Sequence, residues 1–342
     1  MFNLDNLVRP NIKALAPYSS ARDEYVGQGA VMLDANENPF GTVNRYPDPY
    51  QSELKERLAS LKGVQPEQIF LGNGSDQVID LLFRIFCTPE KDSAAVFDPS
   101  YGMYQVSAQI NGTQLIKIPL TERFDIDKTV TEKMLSNLDI KLLFVCNPNN
   151  PTGNVLSSEQ IIWLLNTFNG IVVIDEAYID FCPTFSSLCL IERYPNVVVI
   201  QTLSKAWGMA GIRIGMAFAN PNTIGYLKKV KPPYNISTPN QNFALKALNN
   251  SDEFKENLNA ILLQKRRLEL ALKASPLINK VYPSSSNFFL VQVQDANTIY
   301  TSLKAQNLVV RNRHIAVPNC LRITVGTPQE NKKLIEALNK IT

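Results

Sequence analysis

The 342-residue chain carries a single histidine, His314. One imidazole cannot build a multi-histidine metal site, and no nucleophile motif lies near it, which argues against Ser-His or Cys-His catalysis. Cysteine is scarce as well: Cys87, Cys146, Cys182, Cys189 and Cys320 are odd in number, scattered and free of any Cys-x-x-Cys pair. That pattern argues against a disulfide framework or a zinc site and fits a reducing cytoplasm. No apolar run reaches membrane-spanning length, and Asp5, Arg9 and Lys13 break up the amino terminus, so neither a membrane span nor a signal peptide is expected. Excess charge of one sign is also missing, with 34 basic residues against 31 acidic ones. The only dense basic runs, 228–231 and 265–267, are too short for a nucleic-acid surface and read as solvated faces. Acid–base chemistry therefore has to come from lysine, tyrosine or carboxylates.

What the chain does have is apolar material, 45% of its residues, enough for a large core and a smaller one. Short strand-like runs recur at 94–97, 142–146, 171–174, 197–201 and 214–218, several of them separated by helix-like segments. That alternation predicts an α/β sheet with helices on both faces. The unbroken β-branched runs at 172–174 and 197–200 suit strands buried on both sides. Pro-rich punctuation at 231–239 marks a crossing into two helical patterns, the second over 253–272. A strand at 289–293, a helix at 296–306, strands at 308–311 and 321–325 and a final amphipathic helix predict a small α+β domain. The expected division is an amino-terminal arm with a small-domain segment over 1–30, a large domain over 31–240 and a small carboxy-terminal domain over 241–342.

The most informative segment is 202–215, directly after a β-branched strand. Lys205 at the mouth of a buried sheet is partly desolvated, which lowers its pKa and favours the neutral amine that Schiff-base chemistry needs. Gly208, Gly211 and Gly215 let the backbone fold back so that Arg213 and the Ser204 hydroxyl converge on one anion. Elsewhere Asp175 closes a strand, where open α/β sheets present ligand groups. Gly74, Ser75 and Asp76 lie at the start of a strong helical pattern, 78–86, where backbone amides and the helix dipole attract an anion. Their plainer reading is an ordinary helix cap.

A Ser-Lys pair with an arginine eight residues after the lysine resembles the cofactor-lysine signature of the fold-type I pyridoxal-phosphate aminotransferases. The resemblance covers nearly the whole chain and is strongest to the histidinol-phosphate aminotransferase group, which shares segment 231–237 and the pattern around Asn36 and Arg45-Tyr46-Pro47. It implies a mostly parallel seven-stranded sheet between helices, a smaller α+β domain and pyridoxal 5'-phosphate as cofactor. Lys205 would bind the cofactor, Asp175 would face its ring nitrogen, and Tyr178 with Asn147 would contact its phenolic oxygen. Tyr101 would stack on the ring; Gly74, Ser75, Asp76, Thr202, Ser204 and Arg213 would complete the cofactor site. Gln77 departs from the glutamate of many relatives, which puts one supporting contact in doubt.

For the substrate, the resemblance implies Arg322 and Arg311 at an anionic group, Asn36 beside them, and Tyr18 closing over the far end. Tyr46 would reach the cofactor phosphate of a second subunit, making the active sites shared within a homodimer. The reaction implied is amino transfer between L-histidinol phosphate and 2-oxoglutarate, yielding glutamate, with small molecules as the partners. Threonine-phosphate decarboxylase and a broad aromatic or branched-chain aminotransferase remain open, since they share the lysine and aspartate. A regulator with an inactive aminotransferase domain is disfavoured by the intact Lys205 and by the lack of an appended helix-turn-helix.

Overall fold

The computed structural model describes residues 2–19, 31–136 and 139–341. Among them seven strands form one sheet: β1 (Ile69–Asn73), β2 (Ser93–Asp98), β3 (Gln114–Pro119), β4 (Ile140–Cys146), β5 (Ile171–Asp175), β6 (Val197–Thr202) and β7 (Ile214–Ala219). Their order is β1-β7-β6-β5-β4-β2-β3, with β7 antiparallel to both neighbours and the other pairs parallel. The five strands expected in this region are present. β1 and β3 were not legible: β1 reads as a lead-in to the helix after it, and β3 is an edge strand with mixed exposure.

Strand periodicity explains how one sheet serves two cores. Leu143, Val145, Val172, Ile174, Val197 and Val199 point into one apolar cluster, while Leu142, Phe144, Ile171, Val173, Val198 and Ile200 point into another. Helix Ser75–Phe86 covers the second face with Val78, Ile79, Leu82, Phe83 and Phe86, all buried. Burial on both faces demands continuous hydrophobicity, as the β-branched runs show.

A four-stranded antiparallel sheet follows, ordered β10-β11-β9-β8, from β8 (Ile278–Val281), β9 (Phe288–Val293), β10 (Arg311–Asn312) and β11 (Cys320–Thr324). The strand expected at 308–311 shrinks to two residues, because only Arg311 and Asn312 pair with β11. Helix Ser251–Ala274 leads into this sheet and helix Pro328–Leu338 ends it, the latter started by a Thr327–Glu330 capping box. Among the described residues no helix is long and apolar enough to cross a membrane.

The described part of the amino-terminal arm, 2–19, packs on the helices of the large sheet. Arg9 donates its backbone N–H to Ile85 O at 3.0 Å, and Val8 and Ile12 join the second core cluster. Residues 20–30 of the expected arm lie outside the described residues.

Candidate active site

The carboxyl ends of β2, β4, β5 and β6 share one edge of the sheet, and β1 ends at the same edge because Asn73 pairs with Ile214 while Thr202 pairs with Gly215. A cleft open to solvent lies at this edge. Asp175 at its base is 2% exposed. Its Oδ2 accepts from the Tyr104 hydroxyl at 2.7 Å and its Oδ1 from the Ala177 N–H at 3.1 Å. Burial raises the Asp175 pKa, and these two donors work against that rise. A buried carboxylate of this kind calls for a cationic or N–H partner in the cleft.

Lys205 follows β6 and lines the same cleft. The residue is exposed, yet desolvation is still the largest influence on the amine and lowers its pKa. The Arg322 charge lowers it further, while Asp175 and Asp76 oppose. The Lys205 Nζ lies 5.6 Å from the centre of the Tyr178 ring, which packs edge-on against Phe288 of the small sheet. Burial keeps the Tyr178 hydroxyl protonated by pushing its pKa up.

The anion end is built from backbone. Gly74 adopts φ +75° just before helix Ser75–Phe86, whose first N–H groups have no intrahelical acceptor. Gly215 of β7 is required for this approach: a Cβ there would sit 2.2 Å from the Ser75 nitrogen. Ser204 and Arg213 line the cleft as well, and Thr202 Oγ1 donates to Ser204 Oγ at 2.9 Å. Arg213 reaches Asp76 Oδ2 only at 3.5 Å, leaving its guanidinium available to a second anion. Gly211 has an ordinary φ and open space around it, so the fold-back needs Gly208, at φ +67°, and Gly215 but not Gly211. These donors fit a phosphate dianion, and Asp175 fits a protonated ring nitrogen, so the residues present suit pyridoxal phosphate.

Asn147, directly after β4, is buried; its Oδ1 accepts the Leu156 N–H at 2.8 Å, and its Nδ2 is buried without a partner, a donor left free. Asn150, three residues on, lines the cleft: Nδ2 faces the Tyr178 hydroxyl at 3.5 Å and Oδ1 accepts from Arg322 Nη1 at 2.5 Å. The turn Pro148 to Thr152 points the later asparagine inward, which residue type alone does not reveal. Tyr104 was also missed; it is fully buried, three residues after Tyr101, on a helix the sequence reading did not single out. Tyr101 lines the cleft as expected in sequence, its hydroxyl donating to Asp76 Oδ1 at 3.1 Å and its ring edge-on to Tyr104 at 5.6 Å. Gln77 fills its own contacts, accepting from Asn73 N at 2.6 Å and Asn235 Nδ2 at 3.0 Å.

Arg322 and Arg311 are direct partners across β11 and β10. The Arg322 guanidinium lies 5.3 Å from the Phe288 ring centre. Tyr46, Asn36 and Tyr18 are not brought to this chain's cleft. Tyr46 stacks on Tyr234 at 4.4 Å and shares a separate groove with Asn36, and Tyr18 is exposed. Among the described residues no cluster could hold a metal, and His314 Nδ1 accepts the Asn319 N–H at 3.1 Å within its loop.

Comparisons with known proteins agree with this geometry. The family model for aminotransferase class I and II matches residues 26–338. Histidinol-phosphate aminotransferase of Parabacteroides distasonis is 50% identical, covering 100% of this chain and 99% of the relative. That of Cytophaga hutchinsonii is 48% identical, over 98% of this chain and 99% of the relative. Among solved structures, histidinol-phosphate aminotransferase from Clostridium acetobutylicum superposes with a TM-score of 0.81 at 24% identity, covering 87% of this chain and 91% of that one. The Sinorhizobium meliloti enzyme, solved in complex with pyridoxal-5'-phosphate, gives 0.79 at 24% identity, covering 90% of each chain. These likenesses establish the fold as that of the fold-type I aminotransferases.

Proposed function

We propose, from the premise that this chain belongs to the class I and II aminotransferases and within them to the histidinol-phosphate aminotransferases, that it moves an amino group between L-histidinol phosphate and 2-oxoglutarate. The products are 3-(imidazol-4-yl)-2-oxopropyl phosphate and L-glutamate, a step of histidine biosynthesis. The observation that carries the reading is one cleft lined by a lysine amine of lowered pKa, a buried strand-end carboxylate and Asn150, which holds the Arg322 guanidinium beside it. Relatives 46–50% identical over their full length, all named for this substrate, support the choice of donor.

When bound, pyridoxal phosphate supplies an electron sink and a carbonyl carbon able to exchange amino groups. Lys205 would hold it, and its amine, whose pKa the surroundings lower, would take the proton from the substrate Cα. Asp175, oriented by Tyr104, keeps the ring nitrogen protonated. Tyr178 and Asn147, whose buried Nδ2 has no partner, would present hydrogen-bond donors to the phenolic oxygen. Tyr101 covers the ring, while the Ser75 amide, Ser204 and Arg213 hold the phosphate. Arg322, with Arg311 beside it, takes the anionic end of either substrate, which lets one site serve a phosphate and a carboxylate in turn.

The working unit is a homodimer in the cytoplasm, with the partner subunit's Tyr46 completing each cofactor site. Support comes from segment 31–50, where Val31, Leu33, Phe40 and Val43 are all exposed, an apolar strip suited to a second copy. Free thiols at all five cysteines fit the compartment. The division at residues 30 and 240 is part of the same proposal, with the large sheet in the middle unit and the small sheet in the last. Incubating the holoenzyme with histidinol phosphate and 2-oxoglutarate should yield glutamate; carbon dioxide from threonine phosphate, without glutamate, would transfer the reading to a decarboxylase.

A further inference from the structure

A third arginine, Arg313, directly follows β10 of the small sheet and has no part in the chemistry above. Arg311 pairs directly with Arg322 across β10 and β11, and the ladder runs one residue further, the Arg313 N–H donating to Cys320 O at 2.9 Å. Side chains alternate along a strand, so Arg311, Arg313 and Arg322 share one face. On that face Arg322 bonds Asn150 of the cleft. Arg313 is half-buried, and among the described residues it makes no ion pair and no side-chain hydrogen bond; its Nε is buried without a partner, as is that of Arg322. Burial and the like charges of Arg322 and Arg311 lower its pKa, and Asp98 opposes them. Asp98 lies three residues before Tyr101, at the cleft edge, and is itself shared with Lys117 at 3.5 Å. Like charges gathered on one face, with the Nε groups of Arg313 and Arg322 buried and unsatisfied, favour an anionic ligand, and guanidinium forks match the oxygens of a phosphate dianion.

We infer that Arg313 is a specificity-determining residue that completes a three-arginine subsite for the substrate's phosphate and favours a phosphorylated donor over a carboxylate one. This rests on the function proposed above for the substrate, though the subsite itself needs only that the protein be an aminotransferase.

The test uses the holoenzyme, glutamate as donor and inorganic phosphate as competing ligand. In Arg313→Gln the inhibition constant of phosphate should rise about tenfold or more, and the KM for glutamate should rise by a clearly smaller factor. Arg313→Lys, which keeps the charge but loses the fork, should give a smaller rise in the same sense and carries the comparison if Arg313→Gln does not fold. Equal shifts for phosphate and glutamate, or none, would overturn the inference and leave Arg313 a packing residue. Wild-type holoenzyme that uses glutamate but not histidinol phosphate would sink the proposed donor while leaving this phosphate comparison intact.

Discussion

At the carboxyl edge of the large sheet Asp175 is 2% exposed and doubly hydrogen-bonded, whereas in segment 31–50 Leu33 is 87% exposed and Phe40 82%. The first region holds its groups by burial within one chain: strand ends fix the backbone and Tyr104, Ala177 and Asn150 fix the side chains. The second presents Tyr46 on a surface that one chain does not cover. On the function proposed above, cofactor chemistry is built on the buried sheet edge, and completion of the site is left to a second copy.

The sharpest way to break this contrast is at the sheet edge. Lys205→Ala should lower the rate of the glutamate half-reaction roughly 10⁴-fold, measured by stopped-flow absorbance, while the melting temperature stays near wild type. Gly215→Ala should come next: its Cβ would press on the Ser75 nitrogen at 2.2 Å, so the strand or the anion loop must shift at a cost of about 1–3 kcal/mol. Thermal unfolding and a weakened cofactor dissociation constant would both report it. Tyr104→Phe deletes only the hydroxyl on Asp175 and should remove about 1.5–3 kcal/mol of support for the charged carboxylate, seen as a slower half-reaction with little change in glutamate KM.

Sequence reading reached the two regions unequally, for physical reasons. Lys205, Asp175 and Tyr178 sit at the ends of strands whose β-branched runs are unmistakable, so their convergence follows from the topology of a parallel sheet. Asn150 was not legible because a turn's handedness, which residue type does not encode, brings it to the cleft beside the Tyr178 hydroxyl. Tyr104 and Arg313 act through tertiary neighbours, Asp175 and the arginines of β10 and β11, that lie far off in sequence. β3 escaped notice because an edge strand needs little hydrophobic continuity.

The smaller effects sharpen the electrostatics. Arg322 lowers the Lys205 pKa, so Arg322→Gln should raise it and move the pH dependence of cofactor condensation with the apoprotein to higher pH, since the neutral amine then appears later. A midpoint that stays put would detach Arg322 from the lysine. Behind the site, Glu176 is buried and accepts from Ser186, Ser187 and Gln201, and burial pushes its pKa up to about 7 from 4.5. A folded-state pKa above the unfolded one means the folded protein binds the extra proton, so this group's contribution to stability falls as pH rises from about 4.5 to about 7. In Glu176→Gln that slope should disappear from a plot of melting temperature against pH.

On the proposed function, the Lys205 amine is the group that holds pyridoxal phosphate. Borohydride reduction of the holoprotein, followed by digestion and peptide mass spectrometry, should place the reduced cofactor on Lys205 alone. Cofactor found on another lysine, or released unattached, would contradict the account.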